Sequence, residues 1–426
     1  MDNTVYWIWL SLACTPGTAT FPRLIDKFGN AKDVYDANIK DITRCIDPRS
    51  SDRTRLADKS LERATEIFEF CNKKAIGMLV YDDEEYPSAL KKIKSPPVML
   101  YYRGKLPDFN SGFYASVVGT RSISDYGRKN AFKISFDLAS AGAIIVSGMA
   151  MGIDGIAHAA ALEAEKPTVA VLGSGIDVCY PAPHLTLARN IVKNGCVITE
   201  YPPHTPPAKN NFPTRNRLIS GLSAVTIVIE GKERSGARIT ASCAMEQEKA
   251  VYALPGNIGS QNSEVTSLLL KNGAKVVTSA DDIIRDYQDK YPGVLNPFNL
   301  SAVLPVDIMS SLSKYSVVAI APGDDVFNPP RSYKKSRNAF AERSSGVARE
   351  NKPKEVQIID DSVVESKFDN RTFNIYKRIP TSGECSVDSL MDSETTLRDV
   401  MRALLSLEMG SFVTMLPGDR VSRKIK

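Results

Sequence analysis

Seven short apolar runs, rich in β-branched residues, recur along the middle of this chain at intervals of 25 to 29 residues. They begin near Ser116, Ala143, Thr168, Val197, Ala224, Ala250 and Lys275. Segments with apolar residues at helical spacing lie between the runs, namely Gly127–Ala141, Gly152–Glu165, Leu185–Lys193 and Ala237–Lys249. Strand, helix and strand at this interval predict βαβ units and a parallel sheet.

The runs AIIVSG, TVAVLGSG and AVTIVIEG are continuously apolar, which is typical of strands buried on both faces. We therefore predict an α/β fold with a Rossmann-like, doubly wound, mostly parallel sheet. Ligands are expected at the carboxyl ends of its strands. A closed (β/α)₈ barrel needs about 250 residues, and this region is shorter.

Four segments of different pattern predict the domain organisation. Residues 1–75 show helical spacing and predict a small helical domain, and 76–287 contain the core. Residues 288–369 include a stretch rich in Lys, Arg, Ser and Pro, which predicts a disordered basic linker. Residues 370–426 show two helical patterns and then a hairpin around a Pro-Gly-Asp turn, which predicts a winged-helix domain.

Composition argues against several classes of protein. Seven scattered cysteines without a CxxC pair, and three histidines, argue against a disulfide framework, a zinc ribbon and a multi-histidine metal centre. No apolar run approaches the ~18–20 residues of a membrane span, and no basic region precedes the apolar N-terminus. We therefore expect a cytoplasmic protein without a membrane partner. The net charge of +5 permits a polyanionic partner.

Four predicted strands end in turns rich in Gly, Ser, Thr and Arg that run directly into a helix. These turns are 117–122, 147–154, 172–177 and 230–240. Glycine lets a phosphate approach the backbone, and a helix N-terminus offers free N–H groups and the positive end of its dipole. One such turn is often only a steric requirement, but four at one sheet edge favour phosphate binding.

The segment 212–221 carries Arg215, Asn216 and Arg217 at a predicted helix start, just after a Pro-rich loop. The two guanidinium groups could bind phosphates bidentately, and Asn216 could donate to a phosphate or a base edge. The alternative is a helix N-terminus whose arginines pair with local carboxylates. We favour phosphate binding.

The residues that could perform catalysis are few. Neither a GxxxxGK[ST] motif nor a complete GxGxxG motif is present, so no nucleotide cofactor is expected. His158 lies among alanines on a predicted helix and is interpreted as a packed histidine. Glu200 and Glu230 end strands and could act as acids or bases, but no metal-ligand spacing joins them. We predict no catalytic set and no metal site.

Seven motifs occur in a fixed order along the chain: VVGTRSISDYG (117–127), SGMAMGIDGIAHAAAL (147–162), VLGSGIDVCYP (171–181), ITEYPP (198–203), FPTRNRLISGLS (212–223), VIEGKERSGARITA (228–241) and ALPGNIGS (253–260). Together they resemble the DNA-processing protein A family, also called Smf, over about 76–285. The N-terminal helices resemble that family's SAM-like domain, and the last segment resembles its winged-helix domain.

The resemblance implies a bacterial recombination mediator that binds single-stranded DNA. Such a protein loads the recombinase RecA onto that DNA in natural transformation and recombination, and works as a homodimer without an assigned reaction. By position, the resemblance implies DNA-phosphate binding by Gly119, Thr120, Arg121, Ser147, Gly148, Gly152, Asp154, Gly173, Gly175, Arg215, Asn216, Arg217, Ser235, Gly236, Arg238 and Thr240.

Several positions depart from the family pattern. Met151 stands where the second motif commonly has Arg, which removes a cation, and His184 stands where Asn is common. Arg238 adds a cation within the SGARITA motif. The alternative function is a Rossmann-like nucleoside monophosphate phosphoribohydrolase, whose PGGxGTxxE motif has no complete counterpart here.

Overall fold

The structure, a computed structural model, describes residues 2–299, 307–316, 327, 365, 368–380, 385–392, 395–409, 412–416 and 420–423. The described residues up to 327 and those from 365 onward belong to two compact units. Most of the predicted basic linker, 288–369, lies outside the described residues.

Six helices lie within residues 2–75, in agreement with the predicted small helical domain. They are α1 (Asn3–Ala13), α2 (Thr20–Phe28), α3 (Ala31–Asp36), α4 (Ile39–Arg44), α5 (Asp52–Ala57) and α6 (Glu62–Lys73). Gly29 ends α2 with a φ of 91°, and the side chain of Asn30 accepts a hydrogen bond from the N–H of Asp33 at the start of α3. Trp7 and Leu24 are buried in the core that joins these helices.

Nine strands follow and form one sheet. They are β1 (Gly77–Val80), β2 (Met99–Gly104), β3 (Tyr114–Val118), β4 (Ile144–Ser147), β5 (Thr168–Val171), β6 (Cys196–Thr199), β7 (Val225–Val228), β8 (Ala250–Ala253) and β9 (Lys275–Val276). Their order across the sheet is β1-β2-β6-β5-β4-β3-β7-β8-β9.

The seven predicted strands are β3 to β9, and their pairings with one another are parallel. The predicted Rossmann-like fold is therefore confirmed. The sequence analysis did not predict that β1 and β2 also belong to this sheet, where they pair antiparallel with each other and β2 pairs antiparallel with β6.

Helices connect the strands and follow the sheet. They are α7 (Ser88–Lys91), α8 (Asp125–Ser140), α9 (Ile153–Glu163), α10 (Leu185–Asn194), α11 (Asn211–Leu222), α12 (Gly236–Glu246), α13 (Glu264–Lys271), α14 (Ala280–Tyr287) and α15 (Ile308–Ser316). None of the helices in the described ranges combines the length and the apolar composition that a membrane span requires.

Alternating side chains along each strand pack against two helical layers. Ile145 and Ile227 lie in the core formed with α8, α9 and α14. Val146 and Val228, the next residues along β4 and β7, lie in the core formed with α11, α12 and α13. The sheet is thus covered on both faces, which explains why its strands are continuously apolar.

The chain leaves two neighbouring strands, β3 and β7, in opposite directions. It passes from β3 to α8 on one face of the sheet and from β7 to α12 on the other. The two turns therefore diverge and leave a crevice at the carboxyl ends of the strands. Ligands of open α/β sheets bind at such a switch point.

Helix α15 corrects part of the predicted linker. It packs on α9, where the carboxylate of Glu163 accepts hydrogen bonds from Ser311, Lys314 and Tyr315 at 2.9 to 3.2 Å. A nine-residue helix is thus attached to the core within the segment that was predicted from composition to be a disordered basic linker.

The second compact unit contains α16 (Asn370–Arg378), β10 (Cys385–Ser386), α17 (Leu397–Met409), β11 (Val413–Leu416) and β12 (Arg420–Arg423). Its three strands pair antiparallel in the order β10-β12-β11. Two helices followed by a strand pair agree with the predicted order, and the winged-helix assignment stays a prediction. The Pro-Gly-Asp turn lies outside the described residues.

Candidate nucleic-acid interface

A groove of about 720 Å³ lies at the switch point between β3 and β7. The turns after these two strands, the start of α9 and the first turns of α11 form its walls. The predicted phosphate-binding residues that line it are Gly119, Thr120, Arg121, Asp154, Arg215, Asn216, Ser235, Gly236 and Thr240. The structure thus brings three of the four predicted turns and the start of α11 to one site.

Two glycines shape this groove without lining it. Gly152 has a φ of 86°, and a Cβ atom there would lie 2.3 Å from the carbonyl oxygen of Thr120. A Cβ atom on Gly148 would lie 2.6 Å from Nη2 of Arg215 and 2.7 Å from Oδ2 of Asp154. Close packing behind the groove therefore requires glycine at both positions, and no contact with a ligand is needed to explain them.

Arg215 and Asp154 lie buried in the floor of the groove. Nη1 of Arg215 donates to the carbonyl oxygen of Gly148, 2.7 Å away, and to that of Val171, while Nε donates to Oδ1 of Asn216. Burial lowers the pKa of Arg215 to about 10. The expectation that this guanidinium clamps phosphate needs correction, because it mainly ties α11 to the ends of β4 and β5.

The carboxyl group of Asp154 has an unusual pKa. Burial raises this pKa to about 6, against the opposing charge of Arg215 and hydrogen bonds from the backbone of Ala150 and Gly148. The charge of the groove floor therefore changes within a pH range that experiments can reach.

Arg217 lies outside the groove. Its Nη1 and Nη2 donate to Oε1 and Oε2 of Glu200 at 2.8 and 2.7 Å, and both side chains are buried. Burial alone would lower the pKa of Arg217, but the charge of Glu200 raises it overall. For this residue the structure supports the alternative weighed from the sequence, an arginine paired with a carboxylate. The predicted phosphate contact is corrected accordingly.

Four exposed cationic side chains line the groove instead, namely Arg121, Lys209, Lys232 and Arg234. Nζ of Lys232 donates to Oε1 of Gln261 at 2.9 Å. Within the described part of the chain, none of the four has a carboxylate at ion-pair distance. Only Arg121 was singled out from the sequence; Lys209 lies in the Pro-rich loop before α11, where one isolated lysine carries no pattern.

Two aromatic rings extend the groove beside these cations. The ring centroids of Tyr180 and Phe212 lie 5.4 Å apart, and the guanidinium of Arg121 lies 5.8 Å from the Phe212 centroid. Tyr180 is 37% exposed, so its ring is available to a ligand. The sequence analysis did not predict this pair, because Tyr180 lies in the loop after β5 and Phe212 in the first turn of α11.

The remaining predicted residues have other roles. Oγ of Ser147 donates to the carbonyl oxygen of Val117 at 2.6 Å and joins β4 to β3. Gly173 packs behind the ring of Phe212, and the N–H of Gly175 donates to the loop that follows β6. These three residues support the groove from outside it, and their phosphate contacts stay a prediction. Arg238 is exposed beyond the groove, with Nη1 3.9 Å from Oε1 of Glu233.

The other ionisable candidates from the sequence are structural. Glu230 accepts hydrogen bonds from the N–H and the hydroxyl of Ser124 and so helps to fix the start of α8. His158 is buried with its Nδ1 2.8 Å from Oγ1 of Thr168, and burial lowers its pKa to about 3. The packed-histidine interpretation is confirmed. In the described ranges no cluster of His, Cys, Asp and Glu has a geometry that would hold a metal ion.

Comparison with known proteins gives consistent matches. A family model described as DNA recombination-mediator protein A matches residues 77–288. DNA processing protein DprA of Bacillus subtilis is 37% identical over 226 residues, which cover 53% of this chain and 76% of that protein. Protein Smf of Escherichia coli is 42% identical over 208 residues, which cover 49% of this chain and 55% of its own length.

The fold is also similar to a solved structure. The X-ray structure of DNA processing protein A from Streptococcus pneumoniae has a TM-score of 0.58 and 33% sequence identity to this chain. The similarity covers 67% of this chain and 98% of that one. It therefore extends beyond the 77–288 segment that the family model matches.

Replacing Arg217 with Ala tests its assignment to the protein interior. The change leaves the carboxylate of Glu200 buried without its partner, and loss of one member of a buried ion pair costs about 3–5 kcal/mol. We expect a loss of this size in the free energy of unfolding, measured with urea. Arg238→Ala, at an exposed site, should change it by no more than about 0.5 kcal/mol. Unchanged stability of the Arg217→Ala variant together with weakened DNA binding would restore the phosphate role.

Proposed function

The chain belongs to the DNA recombination-mediator protein A family, and from this premise we propose that it binds single-stranded DNA in the switch-point groove as a recombination mediator. The observation that carries the proposal is a set of four exposed cations in that groove that form no ion pair within the described residues, Arg121, Lys209, Lys232 and Arg234. Cations without a counter-charge gain most from a polyanion, because binding replaces their counterions with phosphate.

Polar groups of the groove complement these cations. The turn after β7 brings Ser235 and Gly236 to the N-terminus of α12, where backbone N–H groups and the dipole favour an anion. Oγ of Ser235 is buried and has no hydrogen-bond partner among the described residues. A phosphate oxygen at this end of α12 would accept a hydrogen bond from that hydroxyl.

The aromatic pair favours a single strand over a duplex. Bases in a duplex are stacked on one another, whereas those of a single strand can stack on a protein ring. Tyr180 and Phe212 offer such a ring surface beside Arg121, in the groove that Lys209 also lines. Phosphate contacts and base stacking then occur in one groove and require no particular sequence.

The wider role rests on the family. We propose that the protein acts in the cytoplasm as a homodimer and loads RecA onto the bound strand during natural transformation and recombination. We also propose that it catalyses no reaction of its own. The phosphoribohydrolase alternative gains no support from the groove, where Asp154 is the one carboxylate among the lining residues, all of them described. Release of free base from nucleoside monophosphates would reverse that choice.

Removing exposed cations should weaken binding and its dependence on salt. For single strands, log K falls with log salt by about 0.7 for each phosphate neutralised. The double variant Arg121→Ala/Lys209→Ala should therefore bind an oligonucleotide more weakly, with a slope shallower by about 1.4. Fluorescence anisotropy over a salt series measures both quantities. Arg238→Ala is the matched control, since it removes an exposed cation outside the groove, and it should leave the slope unchanged. An equal loss in the control would contradict the assigned site.

Replacing Phe212 with Leu should remove a stacking surface while keeping an apolar side chain. Stacking of one base on an aromatic ring is worth about 1–3 kcal/mol, so we expect a loss of affinity in that range without a change of salt slope. An oligonucleotide with abasic sites, which has no bases to stack, tests whether lost stacking causes the weaker binding. The variant and the parent protein should bind it equally, and a persistent difference would argue against stacking.

The pKa of Asp154 predicts how binding depends on pH. Phosphate close to the carboxylate disfavours its ionised form, so bound DNA raises the Asp154 pKa further and binding takes up a proton. Affinity should therefore be highest below about pH 6 and should fall as the pH rises above it, by at most tenfold per pH unit. Asp154→Asn should flatten this profile in anisotropy titrations between pH 5 and 8. A variant that keeps the full pH dependence would place the titrating group elsewhere.

A further inference from the structure

A second cavity, of about 320 Å³, lies at the opposite end of the sheet from the groove. It opens beside the amino ends of β3 and β7, between α7, the end of α11 and the loop before β8. The residues that line it include Lys92, Ile93, Phe109, Tyr114, Gln247 and Lys249. Its volume is at the lower limit of about 300 Å³ that is usual for small-molecule sites. No residue lines both this cavity and the DNA groove, and of the family motifs only the end of 212–223, at Leu222 and Ser223, reaches the cavity.

Two amino groups give this cavity a positive charge. Lys92 and Lys249 both line it, and no carboxylate side chain is among its lining residues, all of which are described. Neither lysine has an ion-pair partner within the described ranges. Burial first, and the charge of Lys92 second, lower the pKa of Lys249 to about 8. The two ammonium groups therefore repel each other without a compensating anion.

The ammonium group of Lys249 is held in one position. Nζ donates to the carbonyl oxygen of Ser220 at 3.0 Å and to that of Gly221, at the end of α11. An ammonium group has three N–H donors, so one remains after these two bonds. The backbone thus fixes a charged donor in the wall of the cavity, whereas a free surface lysine would have no fixed position.

The other walls suit an organic molecule. Ile93, Phe109 and Tyr114 are buried, and the rings of Phe109 and Tyr114 stack with centroids 5.5 Å apart. The hydroxyl of Tyr114 donates to the carbonyl oxygen of Asp108, so its ring presents only apolar surface. Oε1 of Gln247 is buried and has no donor partner in the described structure. A ligand hydroxyl could supply that missing donor.

We propose that this cavity binds a small organic anion, with its phosphate or carboxylate group between Lys92 and Lys249 and its apolar part against Ile93, Phe109 and Tyr114. Lysine binds phosphate as a point charge, and an anion placed between the two amines removes their mutual repulsion. This cavity is separate from the DNA groove, and the proposal does not depend on the function proposed for that groove.

Labelling the full-length protein with pyridoxal 5′-phosphate tests the proposal, because this probe is a planar organic phosphate with an aldehyde. The neutral amine attacks the aldehyde carbon, water leaves, and borohydride reduces the resulting imine to a stable secondary amine that peptide mass spectrometry locates. We expect preferential labelling of Lys249 near pH 7 and protection of Lys249 by inorganic phosphate. A single-stranded oligonucleotide should give no protection, and the Arg121→Ala/Lys209→Ala variant should label like the parent protein.

Lys92→Glu supplies the decisive variant, since Lys92 is exposed and its replacement leaves the packing of α11 intact. The new carboxylate raises the pKa of Lys249, and labelling should slow by about tenfold for each unit of that rise. Protection by inorganic phosphate should disappear, while DNA binding stays unchanged. Labelling spread evenly over the exposed lysines would overturn the proposal. Labelling of Lys249 that phosphate does not reduce would overturn it as well.

Discussion

Two buried arginines on α11 hold the carboxyl edge of this sheet together. Arg215 donates to the carbonyl oxygens that follow β4 and end β5, and Arg217 forms a bidentate ion pair with Glu200 after β6. One helix is thereby fixed to the ends of three strands. Because the groove lies where α11 meets the turns after β3 and β7, its shape depends on these internal bonds. The cations that face solvent are then available for a ligand.

The fold was largely predictable from the sequence, because a parallel sheet leaves a periodic pattern. The seven runs matched β3 to β9 because the crossovers have similar lengths and β3 to β8 are largely buried on both faces, whereas the edge strand β9 is exposed. Strands β1 and β2 were not assigned to the sheet because they pair antiparallel and precede the first βαβ unit, so they do not share that period. Helix α15 was also missed, since its attachment to Glu163 depends on residues about 150 positions apart.

The candidate site was predicted only in part. Turn chemistry indicated many of the residues that line the groove, but it could not distinguish arginines exposed in the groove from arginines buried in the protein. Arg215 donates to two carbonyl groups and Arg217 pairs with a carboxylate, and only folding brings these partners close. Conversely, the sequence analysis did not single out Lys209 and Tyr180, which line the groove but belong to no recognisable sequence pattern. A motif rich in polar residues can therefore indicate the residues that shape a groove more reliably than the side chains exposed in it.

Photo-crosslinking of a thymine-rich oligonucleotide to the intact protein, with the attached peptides identified by mass spectrometry, tests the location of the strand most directly. Stacking in the groove predicts crosslinks at Tyr180 or Phe212. The crosslink at position 212 should be absent from the Phe212→Leu variant, and unlabelled single strands should reduce crosslinking at both positions. Crosslinks confined to α1–α6 or to the unit that follows residue 365 would contradict a strand bound at the switch point.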